Sequence, residues 1–406
     1  MTIAMPHLRR GSLVAAVLTG CLTVTAAPAL AAPAAAEQRL PVAEGVSYRS
    51  LELTTAHGTV LGHLLTVDLR EARLDLLHPG RVAATDEIPD MADAQRALAG
   101  VNGDFFNISS AHEGVEATGA AVGPAIASGE ELKSAVPDAQ RFGPELPPTT
   151  STRDVFGVGV NRKARLAELE LEGEVRTDKA TFDIEGHNTY ALAEDGIAVF
   201  TDEWGEADRV RATCGDDTGQ TAPCSDETEE VVVRDGVVVA EHDRPGAGPI
   251  PEDTLVLVGR ESGADELDTL DPGDRVRVTH RLVTPAGPPL TFAVGGFPIA
   301  RDGEDLPGLD TTVLAPRTAA GISHDGRTVW LVVVDGRSEH SVGMTVAELA
   351  ELVRSFGATD VINLDGGGSS TMVMREPGAP HTTVVNDPSD GEPRAVANGV
   401  GVFSLN

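Results

Sequence analysis

Apolar and polar residues alternate along much of the chain, and this alternation predicts many short strands. The stretch from Val155 to Val283 continues in short β-rich pieces, and Asp235-Gly236 between two valine-rich runs predicts a tight hairpin. Residues 125–150 are rich in proline, glycine, serine and threonine, which indicates a loop crossing the surface. Earlier in the chain, from Val46 onward, the period-two pattern predicts strands at Tyr48–Leu53, Thr59–Asp68 and Leu74–Leu77.

Helices are predicted in two places. Met91–Ala99 reads as a short helix closed by Gly100. Thr345–Phe356 is amphipathic, begins with a capping box and ends before a glycine. It separates the apolar strands Val329–Val334 and Asp360–Leu364, which predicts a βαβ-like unit with the helix packed on a sheet. The predicted fold class is α+β, a mixed sheet core with packed helices plus a β-rich insertion or second domain.

The N-terminus has the pattern of an export signal. Arg9 and Arg10 precede an apolar run, and Ala29-Leu30-Ala31 supplies the small residues of a cleavage site. Secretion is therefore expected, with a lipoprotein anchored at Cys21 as the alternative, because Leu18–Cys21 resembles a lipobox. No other stretch is apolar enough to span a bilayer. The predicted organisation is a signal peptide at 1–31, a disordered segment at 32–45, a main domain at 46–150 and 286–406, and a β-rich insertion at 151–285.

Two cysteines remain after the predicted cleavage, Cys214 and Cys224. They flank a loop rich in glycine, aspartate and threonine, and an exported chain favours a disulfide between them. Their spacing does not match a CxxC zinc or redox motif.

Composition excludes some classes of function. The 406 residues include 63 acidic and 31 basic side chains, giving a formal net charge of -32. Binding to nucleic acid is not expected, because neutralising phosphates needs a basic surface. Aromatic residues make up only 3%, which also argues against stacking on single strands. The hydrophobic content of 41% is enough for a folded core.

The strongest chemical signal is the run from Val361 to Ser370. A buried strand delivers Asp365 to its end, directly before Gly366, Gly367 and Gly368, with Ser369 next. Glycines let the backbone approach a ligand closely and can present N–H groups to an anion. No lysine follows, so this is not a Walker loop, and it is not a GxSxG elbow.

Three other motifs carry candidate polar residues. Asn102-Gly103-Asp104 stands where a strand would emerge into a cleft, and Asp335 ends a buried strand as Asp365 does. Arg317 precedes a run of small residues, and Arg394 precedes the last predicted strand. Arginine suits bidentate binding of phosphate or carboxylate, and paired carboxylates suit acid and base roles. Each motif alone also fits a plain turn or a surface ion pair.

Taken together and in order, these motifs resemble a known family. NGDFF, VGGFPIARDG, PRTAAGI, LVVVDGR, INLDGGGSSTM and RAVANGVGVF are similar to the motifs of the phosphodiester glycosidases, the family of the lysosomal uncovering enzyme. The resemblance covers Val46–Asn107 and Pro289–Phe403. On this basis the chain is identified as a secreted bacterial member of that family.

The resemblance implies hydrolysis of a sugar-1-phosphodiester at the sugar carbon, with a substrate like a GlcNAc-1-phosphodiester in cell-wall or exopolysaccharide material. It implies catalytic roles for Asp365, Asp335 and Asp104. Asp365 would be nucleophile or base, and either of the others its partner or a sugar anchor. Arg317 and the glycine-loop N–H groups would hold the phosphate. The implied substrate-binding residues are Asn102, Gly103, Arg317, Asn363, Gly366, Gly367, Gly368, Ser369 and Arg394.

Three questions stay open at this level. A divalent cation, calcium or magnesium, bridging the carboxylates and the phosphate would use the same aspartates equally well. A metal-dependent phosphodiesterase cleaving the P–O bond and a non-catalytic protein that binds exopolysaccharide or envelope are the alternative functions. The sugar, its aglycone, the stereochemical outcome and the oligomeric state are not indicated.

Overall fold

The computed structural model describes residues 40–405. The predicted signal peptide at 1–31 and the lipobox at Cys21 lie outside the described residues. Leu40–Ala43, at the end of the segment predicted to be disordered, form a strand paired with the next strand of the chain.

The described residues contain 28 strands, most of them short. In chain order they are β1 (Leu40–Ala43), β2 (Val46–Thr55), β3 (Gly58–Asp68), β4 (Ala72–Leu77), β5 (Ala99–Asn102), β6 (Ala125–Ala127), β7 (Glu130–Lys133), β8 (Asp154–Gly159), β9 (Ala164–Glu168), β10 (Glu170–Arg176), β11 (Thr181–Asp183), β12 (Gly186–His187), β13 (Ile197–Phe200), β14 (Cys214–Asp216), β15 (Gly219–Cys224), β16 (Thr228–Arg234), β17 (Val237–His242), β18 (Thr254–Arg260), β19 (Arg277–Val283), β20 (Leu290–Gly295), β21 (Phe297–Arg301), β22 (Glu304–Asp305), β23 (Arg317–Ser323), β24 (Thr328–Val334), β25 (Ala358–Asn363), β26 (Met372–Met374), β27 (Thr383–Val384) and β28 (Gly399–Ser404).

Helices are few among these residues, and the α+β prediction is wrong. The three α-helices are α1 (Ile88–Ala94), α2 (Ser262–Leu267) and α3 (Val346–Ser355), against six separate sheets. The protein is mostly β because period-two patterning, rather than helical patterning, covers most of its length. None of these helices has the length and apolarity needed to cross a bilayer.

The largest sheet carries the predicted strand–helix–strand unit. Its order is β1-β2-β3-β24-β23-β25-β21-β22, and every neighbouring pair is antiparallel, so the predicted mixed core sheet is also wrong. The strands β24 and β25 run parallel to each other with β23 between them. Helix α3 packs on this sheet over β23 and β25, with Leu349 and Val353 fully buried.

A second sheet, β27-β26-β5-β28-β4, meets the first at the ends of their strands. The backbone N–H of Asp365, after β25, donates to Gly103 O, after β5, at 2.8 Å. The N–H of Gly103 in turn donates to Asn398 O, just before β28, at 2.9 Å. These bonds bring the predicted motifs to one edge of the two sheets.

The region between residues 151 and 285 forms strands of several smaller sheets. The Asp235-Gly236 hairpin is confirmed between β16 and β17. The disulfide between Cys214 and Cys224 is also confirmed, across β14 and β15. Strands β8 and β9 share a sheet with β6, β7 and β20, which lie on the other side of the predicted boundaries. The boundaries themselves stay predictions.

Two local predictions are wrong. The helix expected over Met91–Ala99 ends at Ala94, and the chain turns at Arg96, where φ is +59°, before β5 begins. Gly100 is a strand residue paired with Val373 and Gly401 rather than a helix cap. The surface loop expected at 125–150 instead contains the β6–β7 hairpin, whose tertiary pairing with β20 outweighs its turn-rich composition.

Candidate active site

The motif residues surround one cavity of about 300 Å³. Its floor is the loop after β25, and its other walls come from the segments before β23, after β24 and before β28. Two phenylalanines of the NGDFF motif close one side. The predicted site residues that line it are Arg317, Asn363, Asp365, Gly366, Gly367, Gly368 and Arg394.

Asp365 is the only carboxylate among the residues lining the cavity. The Gly366 N–H donates to its Oδ1 at 2.9 Å. Desolvation by burial and the negative charge of Asp104 raise the pKa of Asp365 to about 7, against opposing effects of Ser369, Gly366 and Arg394. A carboxylate that titrates near neutrality is suited to proton transfer.

Three arginines face the same cavity. Arg317 is 8% exposed, and its guanidinium donates to Met344 O at 2.9 Å and to Val313 O at 2.7 Å. Its pKa is lowered by burial and by the neighbouring positive charge of Arg337. Arg394 pairs with Asp390. The guanidinium groups of Arg317 and Arg337 repel each other. An anion bound between these two groups would relieve that repulsion.

Arg337 is the charged cavity residue that the sequence analysis did not select as a site residue. It follows Asp335-Gly336, has φ of +59° and makes no hydrogen bond or ion pair within residues 40–405. The signal was available, because Arg337 lies three residues after the buried strand β24, which ends at the edge where Arg317 begins its own strand. A surface ion pair was an equally simple interpretation of the sequence.

The glycine loop supplies shape more than anion-binding amides. The N–H of Gly366 is used by Asp365, and the N–H of Gly367 donates to Pro316 O at 2.9 Å. The loop closes as a short 3-10 turn over Gly367–Ser369. At Gly368, an added Cβ would lie 2.0 Å from Nη2 of Arg394, so only glycine lets this guanidinium lie against the loop.

Asn102 does not line the cavity but holds the loop that begins at Asp365 by hydrogen bonds. It is fully buried, donates to Asp365 O at 2.6 Å and accepts from the Thr318 hydroxyl at 2.7 Å. Asn363 is buried too, and its Oδ1 has no hydrogen-bond partner within the described part of the chain. Since Asn363 lines the cavity, this oxygen can accept a hydrogen bond from a ligand hydroxyl.

Asp104 lies behind the cavity wall, 2% exposed. Its Oδ2 accepts from the Gly123 N–H at 2.6 Å, and its own N–H donates to the Asn398 side chain at 2.9 Å. Burial raises the pKa of Asp104 to about 6, while Lys133 and Arg141 oppose the rise. It therefore acts on the cavity through its charge on Asp365.

Asp335 is 3% exposed and does not line the cavity. Its Oδ2 is 3.0 Å from Nε2 of His63, whose Nδ1 lies 2.9 Å from the Tyr48 hydroxyl. Its Oδ1 accepts from the Asp387 N–H at 3.1 Å. The structure thus places this carboxylate in a hydrogen-bonded network next to the site, not beside Asp365.

The cavity does not fit a calcium or magnesium ion. Such ions take several oxygen ligands, whereas this lining offers one carboxylate and three guanidinium groups that repel a cation. The one group of three metal-ligand side chains in residues 40–405 is His112, Cys214 and Cys224, and both cysteines are in the disulfide. Metal dependence therefore stays an expectation from sequence without support from these residues.

Comparison with known sequences gives partial but specific matches. Residues 227–403 match the profile of the family described as Phosphodiester glycosidase. An N-acetylglucosamine-1-phosphodiester alpha-N-acetylglucosaminidase of Mus musculus is 37% identical over 78 residues, which are 19% of this chain and 14% of that protein. An uncharacterized SPbeta prophage-derived protein of Bacillus subtilis (strain 168) is 39% identical over 89 residues, 22% of this chain and 13% of that one. Each match covers well under two thirds of the relative's length.

Two solved structures share the fold. A hypothetical protein from Synechocystis superposes with a TM-score of 0.70 at 20% identity, covering 91% of this chain and 64% of that one. A putative exported protein from Burkholderia pseudomallei K96243 gives 0.63 at 24% identity, covering 85% and 74%. At these identities the likeness concerns the fold alone.

Proposed function

Since the chain contains a phosphodiester glycosidase domain, we propose that it hydrolyses a sugar-1-phosphodiester between the sugar carbon and the phosphate oxygen. The substrate would resemble a GlcNAc-1-phosphodiester, as named for the mouse relative, in cell-wall or exopolysaccharide material. The Cys214–Cys224 disulfide supports an exported protein, because such bonds persist in oxidising compartments.

The observation that carries the proposal is the pairing of one carboxylate with three guanidinium groups in a single cavity. Asp310 and Asp390 partly offset the charges of Arg317 and Arg394. Arg337 has no such counter-charge among the described residues. The remaining positive charge matches the single negative charge of a phosphodiester.

The geometry supports a one-carboxylate mechanism. The arginines hold the phosphate, and the buried Asn363 amide orients a sugar hydroxyl. The departing phosphate is stable as an anion, so it needs no proton from an acid. Asp365, in its ionised form, takes a proton from the water that attacks the sugar carbon. The positive cavity stabilises the charge that develops on the leaving group.

Asp365→Asn tests this assignment. We expect hydrolysis of a GlcNAc-1-phospho-alkyl substrate to fall by roughly 10²–10⁴-fold, with binding of the substrate by calorimetry retained. Asp360→Asn, on the strand that precedes Asp365 but outside the cavity, is the matched control and should keep full activity. A chelator should leave the wild-type rate unchanged.

Other outcomes point to the alternatives. Full hydrolysis by Asp365→Asn would reject Asp365 as the base. Binding without turnover by the wild-type protein would favour a non-catalytic envelope-binding protein. Loss of hydrolysis on chelation would favour a metal-dependent enzyme.

A further inference from the structure

Lys133 is a fully buried lysine outside the cavity, 1% exposed at the end of β7. Its Nζ donates to three backbone carbonyls, those of Gly123 at 2.6 Å, Ser134 at 2.5 Å and Val122 at 3.3 Å. Three acceptors match the three N–H donors of an ammonium group, whereas a neutral amine has only two. The hydrogen-bonding geometry therefore describes a charged lysine. Burial lowers the pKa of Lys133 to about 7, and the negative charge of Asp104 opposes this fall.

A buried charge of this kind needs a counter-charge, and Asp104 supplies it through one peptide group. The carbonyl of the Val122–Gly123 peptide accepts from Lys133, and the N–H of the same peptide donates to Oδ2 of Asp104 at 2.6 Å. The positive Lys133 therefore faces the carbonyl end of this peptide dipole and the negative Asp104 faces its N–H end, so both charges polarise the peptide in the same direction. An added Cβ at Gly295 would lie 2.3 Å from Oδ2, so glycine at this position leaves the space that the Asp104 carboxylate occupies.

Asp104 is linked to the catalytic carboxylate by charge and by backbone. Its negative charge raises the pKa of Asp365. The hydrogen bond from Asp365 N–H to Gly103 O, 2.8 Å long, fixes the two segments against each other. A change in the charge of Asp104 is therefore expected to change the pKa of Asp365.

We propose that Lys133, acting through the Val122–Gly123 peptide, keeps Asp104 ionised, and that Asp104 in turn sets the pH range in which Asp365 works as a base. Lys133 and Asp104 are thus positioning residues for charge, and they do not touch the substrate. The role of Asp365 as a base rests on the proposed function. The effect of Lys133 and Asp104 on the pKa of Asp365 can be measured without turnover.

Other titratable and charged groups also face Asp104 and Lys133. Lys133, Arg141 and Tyr190 face Asp104. Burial raises the pKa of Tyr190, so its phenol stays neutral. His187 faces Lys133, and burial lowers its pKa well below the usual value, so it is neutral as well.

Two further groups, Arg394 and Ser369, act on Asp365 and oppose the effect of Asp104. Of the groups that face Asp104, Arg141 stays charged throughout the neutral range.

The direction of the effect follows from the sign of the charges. If Asp104 loses its charge, the repulsion on the Asp365 carboxylate disappears and the pKa of Asp365 falls. Without Lys133, Asp104 is buried with no counter-charge from that side and takes up a proton, so the pKa of Asp365 falls again. With a base mechanism, the acidic limb of the rate profile moves to lower pH in both variants.

The experiment is a carboxyl ¹³C NMR titration of the full chain, with the Asp365 signal assigned from Asp365→Asn. We expect Asp104→Asn to lower the pKa of Asp365 by about one unit, the scale typical of a like charge in one site. Lys133→Met should shift it in the same direction. The double variant should match Asp104→Asn, since Lys133 has nothing further to control. Lys179→Met, an exposed lysine among the chain's three, is the matched control and should cause no shift.

An unshifted Asp365 titration in Asp104→Asn, or in a folded Lys133→Met, would overturn the proposal. If Lys133→Met does not fold, the proposal is tested with Asp104→Asn and with the double variant. The double variant buries no unpaired charge at this site. A purely structural role for Lys133 would lower the rate without moving the pH profile. Because the titration needs no substrate, a shift found in a protein without hydrolase activity would reject the proposed function and leave this link intact.

Discussion

At the scale of single residues, the site depends on which way each side chain points at the end of a strand. Asp335 and Asp365 both follow buried strands that end at the same edge. Only Asp365 reaches the cavity, whereas Asp335 bonds to His63 and Asp387. The sequence could identify both carboxylates but not separate their roles, because side chains alternate between faces along a strand and the loop decides where they go next.

The arginines illustrate the same limit. Arg317, Arg337 and Arg394 all fall within the recognised motifs, and all three line the cavity. Arg337 was not selected, because a surface ion pair was an equally simple interpretation of it. Its backbone adopts a φ of +59°, which the sequence of a non-glycine residue does not predict. The sequence could not connect Lys133 with the site, because this lysine lies in the segment 125–150, whose composition predicts a surface loop.

Gly368→Ala tests how closely the glycine loop and Arg394 must approach. The new Cβ would lie 2.0 Å from Nη2 of Arg394 and 2.2 Å from Oδ2 of Asp390. Both atoms are ends of side chains that can move, so we expect the fold to persist and Arg394 to be displaced. Measured kcat/KM should fall by roughly 10–100-fold, the scale of a misplacement near 1 Å.

Gly219→Ala is the matched control, since nothing lies within 4 Å of its added Cβ. That variant should keep wild-type kinetics. An unchanged kcat/KM in Gly368→Ala would mean that Arg394 does not act on the substrate.

At the scale of elements, helix α3 was the most predictable part of the fold. Its start is set by Thr345, whose hydroxyl accepts from the Glu348 N–H at 3.2 Å, and the predicted capping box is present. A capping box lies within four consecutive residues, so the sequence alone is enough to identify it. Sheet pairing joins segments that are far apart in the chain, and no local pattern predicts that the β6–β7 hairpin pairs with β20. The error in fold class arose from weighting one well-marked helix above many weakly marked strands.

Thr345→Ala tests the link between this helix and the site. Loss of the cap should lower the free energy of unfolding by about 1 kcal/mol in urea denaturation. Because the Met344 carbonyl next to the cap holds Nε of Arg317 at 2.9 Å, KM should rise while kcat changes little. Ser355→Ala, at the opposite end of the same helix, should leave KM unchanged. Equal stability of Thr345→Ala and the wild type would show that the cap is not a stabilising contact.

At the scale of the whole molecule, a strongly acidic protein presents a small positive cavity. The net charge is -32, and three of the 31 basic residues are concentrated at the cavity lining. An anionic substrate approaching from solution meets a repulsive field at long range and an attractive one close to the site. The acidity therefore excludes binding of polyanions over a broad surface without excluding one phosphate in one cavity.

This arrangement predicts a particular salt dependence. At low ionic strength the distant acidic surface acts over about 30 Å, whereas near 0.1 M the screening length is about 10 Å. Raising sodium chloride between these limits should increase kcat/KM roughly two- to threefold by screening the repulsion, with kcat unchanged. A steady fall in kcat/KM over the same range would show that the cavity arginines dominate the approach.

The position of bond cleavage tests the central claim most directly. Hydrolysis of a GlcNAc-1-phospho-alkyl substrate in ¹⁸O-labelled water, followed by mass spectrometry of both products, shows which atom the water attacks. Attack on the sugar carbon, with Asp365 as the base, places the label in the sugar and leaves the phosphate unlabelled. Label in the phosphate would mean cleavage of the P–O bond and would contradict the account.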